Sequence, residues 1–194
     1  MPSAFTHGVA SIAIGRAYTR RPLPKRFWIF SVVCGVAADI DVLANRFGFD
    51  YTTVLGHRGL THSFLFAFVL SGLVTLLAFP RRLDGISRVA LFGVLFAATA
   101  SHSILDAMVN GSLGVAFLAP FSTARFFLPF RPIVSTPIGM AFFSPEGAAV
   151  IKNEFVWVWL PSLVVILAPW LRGRLAKRSI GTDQLAAAAS IPEP

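Results

Sequence analysis

The stretch Val89-Ala90-Leu91-Phe92-Gly93-Val94-Leu95-Phe96-Ala97-Ala98-Thr99-Ala100-Ser101-His102-Ser103-Ile104-Leu105-Asp106-Ala107-Met108-Val109 decides the fold. It is apolar or small throughout except for His102 and Asp106, both near its end. A hydrocarbon core is crossed by about 20 helical residues, with a range reaching down to about 17, so this run predicts a membrane-crossing helix. Three further runs meet or approach that length: Phe27 to Leu43, Ser63 to Phe79 and Phe155 to Leu171. Ala4 to Tyr18 also reads as a helix but spans only about 22 Å at 1.5 Å per residue. It crosses only with help from neighbouring protein, or lies partly re-entrant.

Composition agrees with these runs. Of 194 residues 55% are hydrophobic and 13% charged, with a mean hydropathy of +0.70, whereas soluble domains carry about a quarter charged residues. This composition argues against a water-soluble fold. The expected fold class is all-α: a polytopic membrane bundle of about four to five transmembrane helices, with a Phe/Pro-rich outer loop. Length suggests one membrane-embedded domain over residues 1–172, followed by a poorly ordered cytoplasmic tail over 173–194.

The net charge of +8 does not indicate a nucleic-acid binder, because the 17 Lys and Arg lie between apolar segments rather than along one face. Cys34 is the only cysteine, which excludes an intramolecular disulfide and a cysteine-type zinc cluster. The first twenty residues lack the order of a secretory signal, since Arg16, Arg20 and Arg21 follow the apolar part. The N-terminus is expected to be retained.

Lys and Arg concentrate on the cytoplasmic side of membrane proteins. If every helix crosses, eleven charges share one side: Arg20, Arg21, Lys25 and Arg26; Arg81, Arg82 and Arg88; Arg172, Arg174, Lys177 and Arg178. The other side receives Arg46, Arg58, Arg125, Arg131 and Lys152, and Arg16 belongs to the inner end of the first helix. The expectation is five helices in a bacterial inner membrane, N-terminus out and C-terminus in. Between Asn110 and Asn153 the chain interleaves phenylalanines with Pro120, Pro129, Pro132, Pro137 and Pro145, which argues against one continuous helix. That segment is either an interfacial loop packed on the bundle or a lid over a site for an amphipathic substrate.

Ionisable residues inside membrane segments cost roughly 2.5 to 3.5 kcal/mol each at mid-helix, so several together need a shared reason. The topology puts His7, Asp39, Asp41, His57, His62, His102 and Asp106 toward the same side. His102 and Asp106 are four apart and share a helical face. They suit two ligands, or one ligand with its orienting carboxylate, or a hydrogen-bonded pair joining helices. Asp39 and Asp41 would diverge by about 200° on a regular helix. They meet at one site only if the helix ends or distorts there; otherwise one is a ligand and the other supports it or faces the interface.

His57-Arg58-Gly59-Leu60-Thr61-His62-Ser63 is the most informative segment. Gly59 allows a tight non-helical approach, Thr61 or Ser63 can cap the next helix, and two imidazoles flank a guanidinium. Imidazole with carboxylate suits zinc, manganese or iron, and the set is large enough for one or two divalent ions. Arg58 suits a phosphate or carboxylate of a substrate, or else an ion pair with Asp50 or Asp41.

Taken together, Thr6-His7, Asp39-Ile40-Asp41, the His57–Ser63 element, Ser101-His102 with Asp106, and Pro120-Phe121-Ser122 followed by Pro129-Phe130-Arg131-Pro132 resemble the bacterial inner-membrane metal-dependent hydrolase family typified by YdjM. The resemblance spans about residues 4 to 140, and the His57–Ser63 element is its most specific part. It implies a hydrolase-like domain with His7, Asp39, Asp41, His57, His62, His102 and Asp106 at the site, and it supplies no substrate.

The leading expectation is a membrane-bound metal-dependent hydrolase, with zinc or manganese, acting on a phosphoester or lipid-linked substrate at the outer interface. Asp39 or Asp106 would serve as general base and Arg58 would stabilise developing anionic charge. Two other classes compete. A metal or proton transporter would need ionisable groups at several depths, whereas the inner loops offer only Asp84. A non-catalytic, metal-stabilised membrane protein would need metal for folding without turnover. No partner beyond the bilayer and such a substrate is indicated, and the sequence leaves the oligomeric state open.

Overall fold

The computed structural model describes residues 1–19, 23–81, 83, 86–111, 113–137, 139–168 and 171, with the side chains of 44–47 left aside. The basic residues Arg20, Arg21, Arg82, Arg172, Arg174, Lys177 and Arg178, the acidic Asp84 and the tail 173–194 lie outside the described residues, as does the Arg46 side chain.

Four of the five helices begin where a serine side chain satisfies one of the first free N–H groups. Helix α1 (Ala4–Tyr18) starts after Ser3, whose side chain accepts from the Thr6 N–H. Helix α2 (Lys25–Val36) follows Pro24 in extended conformation, then tightens into a 3₁₀ segment, Ala37–Phe47. Helix α3 (Phe64–Leu77) is capped by Ser63 and helix α4 (Arg88–Ala107) by Ser87. Helix α5 (Pro145–Glu154) is capped by Ser144 and has Pro145 in its first turn, where a missing N–H costs nothing. It passes through a π-helical turn, Phe155–Trp159, in which the Leu160 N–H donates to the Phe155 carbonyl, and the helical segment continues to Ala168.

Among the described residues the protein is all-helical; strand-like pairing is confined to isolated bridges such as Val109 with Ile133 and Val115 with Phe126. Two helical segments, Arg88–Ala107 and Pro145–Ala168, are long and apolar enough to cross a membrane, and Phe64–Leu77 is a shorter apolar helix. The last segment begins ten residues before the Phe155 expected from hydropathy. Pro145, Glu146, Lys152, Asn153 and Glu154 depress the apolar signal there, while the Ser144 cap and the proline at the helix start supply the stop of the preceding loop.

The packing is inverted relative to a soluble bundle. Helix α4 lies at the centre, against α1, α2 and α3. Helix α3 turns Ala67, Ser71 and Thr75 inward and leaves Phe68, Leu73, Leu76 and Leu77 exposed. Helix α1 buries Thr6, His7, Gly8, Ala10, Ser11, Ala13 and Gly15. Small and hydroxyl-bearing residues at i, i+4, i+8 let membrane helices approach and hydrogen-bond, while lipid covers the large apolar side chains outside. Gly35 is the tightest point: a Cβ there would lie 1.8 Å from Ser11 Oγ and 3.2 Å from the His7 carbonyl oxygen.

The interior has two ends. One is closed by Phe27, Cys34, Phe79, Leu83, Ile86, Leu91, Val94 and Leu95. Cations rim that end: Arg16 lies over the Trp28 ring and Arg26 over the Phe79 ring, and Arg88 donates to the Pro80 carbonyl. The opposite end holds every histidine of the chain.

Candidate metal centre

Four segments bring eight side chains together at that second end. Helix α1 contributes His7, the 3₁₀ segment Asp39 and Asp41, the loop before α3 His57, Arg58 and His62, and α4 His102 and Asp106. His7, His62, His102 and Asp106 have no exposed surface, Arg58 keeps 2% and Asp41 5%.

The loop carrying three of them is held by its own backbone. Arg58 adopts a left-handed conformation, φ 64°, rare for a side chain of this size. Gly59 packs so closely that a Cβ would meet the Val54 carbonyl oxygen at 2.1 Å. Arg125 clamps the outside, donating to the carbonyls of Tyr51, at 2.7 Å, and His57, at 3.2 Å. Burial and the nearby Arg58 charge hold its guanidinium below its ordinary pKa. Ser63 caps α3, whereas Thr61 turns its hydroxyl to Asp41 at 2.5 Å.

Asp39 and Asp41 do different jobs because the change to 3₁₀ winding still leaves residues two apart on different sides. Asp41 accepts from His57 Nδ1 at 2.7 Å and from the Arg58 N–H at 3.1 Å, and its Oδ2 lies 3.0 Å from His62 Nδ1. It therefore grips the rear edges of two imidazoles. Asp39 faces the front edges, with Oδ1 3.3 Å from His102 Nε2 and 4.0 Å from His62 Nε2. His102 donates from Nδ1 to the Gly35 carbonyl at 2.8 Å, which leaves its Nε2 as a lone-pair donor. That atom sits 3.1 Å from His62 Nε2.

Asp106 completes the front. Its Oδ2 lies 3.3 Å from His62 Nε2 and 2.9 Å from Arg58 Nε, and its Oδ1 is 3.7 Å from His7 Nε2. Arg58 thus pairs with Asp106 rather than with Asp50 or Asp41 as an ion-pair reading of the sequence would have it; only its backbone N–H reaches Asp41. His7 stacks on His102 with ring centroids 3.6 Å apart.

His62 lies in the loop outside the apolar runs. Burial alone would lower its pKa, but the Asp106 and Asp41 carboxylates beside it carry it up to about 9.

A buried polar atom without a partner is rare and costs about 1 to 3 kcal/mol. Here both nitrogens of His7, both oxygens of Asp39, and Nη1 and Nη2 of Arg58 lack a hydrogen-bond partner, while Asp106 Oδ2 has the ion pairs with Arg58 and His62 in place of one. Ligand atoms of His7, His102 and Asp106 lie within 4.8 Å of one another, as do those of Asp39, His57 and His62. Two such groups, with the rear edges of three imidazoles already fixed by Asp41 and a carbonyl, have the donor chemistry that fits a divalent cation.

Sequence reasoning missed Glu154. It is fully buried on α5 and accepts from the Ser3 N–H at 2.6 Å and from the hydroxyls of Ser3, Thr6 and Thr136 at 2.5, 2.6 and 3.0 Å. Placing the start of the last apolar run at Phe155 put this carboxylate just outside; a lone acid at the edge of an apolar run was the available signal. The Gly35 carbonyl was equally invisible, since no side chain announces it.

A helical chain with an apolar exterior and a polar, histidine-lined interior is the architecture of an integral membrane protein. The chain belongs to the YdjM inner membrane protein family, which it matches over residues 1–178, and its setting is accordingly the bacterial inner membrane. It is 36% identical over 175 residues to inner membrane protein YbcI of Escherichia coli (strain K12), an alignment covering 90% of this chain and 100% of that protein. No solved structure matches it.

Proposed function

We propose that the protein is a membrane-embedded metal-dependent hydrolase of phosphoesters, working at the outer face of the membrane. The observation that carries this reading is the convergence of buried donors without hydrogen-bond partners on His7 and Asp39 with the Asp106 carboxylate, paired to Arg58 at 2.9 Å, and the Nε2 of His102, 3.1 Å from that of His62. His62 and His57 complete two neighbouring groups suited to one or two ions, zinc or manganese by donor type. A bound divalent cation would lower the pKa of a bound water toward about 7 and polarise the bond being broken.

The chain's own residues supply the rest. Asp41 and the Gly35 carbonyl orient the imidazoles, and Asp39, with two free oxygens, is the group placed to accept a proton. Arg58 offers two free N–H groups to an anion. The basic loops support an outward position for this end, with N-terminus out, C-terminus in and about four to five helices crossing. An apolar plug of Phe27, Phe79, Leu91 and Leu95 closes the other end, which favours a one-sided reaction chamber over a transport path.

The test is elemental analysis of detergent-purified protein alongside phosphoester hydrolysis by the same preparations. We expect stoichiometric metal and turnover in the wild type, and loss of both in His102→Ala and His62→Ala. Wild-type metal content no higher than that of the two variants would end this reading.

A further inference from the structure

Two cavities share a wall, and one of them reaches the polar cluster. One, of about 200 Å³, is lined by Tyr51, His57, Arg58 and Ser135. The other, of about 270 Å³, is lined by Phe5, Val42, Pro137 and Phe142 and is nearly all apolar. Met1 and Thr136 line both. Each alone falls short of the roughly 300–1,000 Å³ usual for ligand sites, and joined they enter that range.

The first cavity carries a cation built for an anion. Arg58 spends Nε on Asp106 and leaves Nη1 and Nη2 buried without partners, an arrangement costly to keep unless a bidentate oxyanion completes it. The second carries apolar surface: Phe5 stacks with Phe142 at 6.4 Å between ring centroids, and Met140 and Phe143 stand exposed nearby. Glu154 fixes the shared wall, because the Thr136 hydroxyl and Ser3 both donate to it and the Thr136 N–H donates to the Met1 carbonyl.

We infer that the two cavities bind one amphiphile, its phosphate-ester headgroup on Arg58 and its hydrocarbon chain along the wall formed by Phe5 and Phe142. This rests on the metal-dependent phosphoesterase reading and gives the phosphoester or lipid-linked substrate expected from the sequence a specific form and place: a phosphate ester bearing an alkyl or acyl chain, held across both cavities. The headgroup cavity contains His57, so a phosphate held there abuts the donor groups of Asp39, His57 and His62. A water-soluble phosphoester would leave the apolar cavity unused.

The experiment uses the full chain in lipid nanodiscs and dodecyl phosphate carrying a diazirine at its chain terminus, with crosslinks mapped by peptide mass spectrometry. We expect labelling at Phe5 or Phe142, displaced at about ten-fold lower concentration by unlabelled dodecyl phosphate than by dodecanol or inorganic phosphate. Ala4→Trp, which fills the apolar cavity from an exposed position, should abolish that labelling, and Arg58→Lys, which keeps the charge but loses the fork, should weaken it. Labelling confined to outward residues such as Phe68 and Leu76 overturns the inference, as does equal displacement by dodecanol or by inorganic phosphate. Metal content of the same preparations separates the two readings. Bound metal without Phe5 or Phe142 labelling sinks the amphiphile site alone, whereas labelling with metal no higher than in His62→Ala sinks the metal centre alone.

Discussion

The two ends of the bundle are built on opposite principles. At one end Phe27, Phe79, Leu91 and Leu95 fill space by shape, and the cations Arg16, Arg26 and Arg88 stand at the rim. At the other, carboxylates, imidazoles and a guanidinium occupy the interior, and several of their polar atoms lack partners. In lipid, apolar side chains gain little by leaving hydrocarbon for protein, so the first end is held by close packing. The second end tolerates a cost that packing cannot justify, which is the signature of a site kept for its chemistry.

The sharpest way to break this contrast is at the apolar end. Phe79→Ala should reduce resistance to unfolding in a denaturing-detergent titration by about 3–5 kcal/mol, the usual loss for a buried phenylalanine. Metal bound per folded molecule should not change. A fall in metal stoichiometry with stability intact would show that the two ends are not separate.

At the polar end, Asp41→Asn keeps the shape while weakening the grip on His57 and His62. Removing such an orienting carboxylate costs about 10–100-fold in metal affinity, to be read by competition against a chelator of known affinity. Unchanged affinity would mean that the imidazoles are positioned without it.

Gly35→Ala probes where the ends meet, since the residue both lets α1 approach α2 and offers its carbonyl to His102. Overpacking of this kind costs about 1–3 kcal/mol, and here a drop in metal affinity should accompany the loss of stability. Midway along the bundle, the Ser71 and Thr99 hydroxyls meet at 3.4 Å. Ser71→Ala should cost about 0.6 kcal/mol, the average for a hydrogen bond between membrane helices, with no effect on metal in the same titration.

Hydropathy made α3 and α4 legible because their apolar runs coincide with the helices themselves. It read α1 at its observed bounds, Ala4–Tyr18. It failed at α5, whose first ten residues are polar enough to look like loop. The candidate residues were legible as types, because ionisable groups in apolar runs are conspicuous. Their division of labour was not. Spacing shows that Asp39 and Asp41 diverge, but only the fold shows that they take opposite edges of His62. Nor could spacing pair Arg58 with Asp106, forty-eight positions on, when Asp50 and Asp41 lay nearer in the chain.

The π-helical turn after Glu154 admits one residue more than an α-helix would hold over the same rise. It works as a phase shifter: the stretch before it and the stretch after it are rotated independently, each to its own neighbours. Before it, Glu154 points at the hydroxyls of Ser3, Thr6 and Thr136; within it, Val158 turns inward and Trp159 donates to Thr6. Deleting any one residue of Phe155–Trp159 would turn the two stretches by about 100° relative to each other. The carboxylate and the tryptophan could then no longer both reach Thr6, although no residue that touches the histidine cluster had been changed.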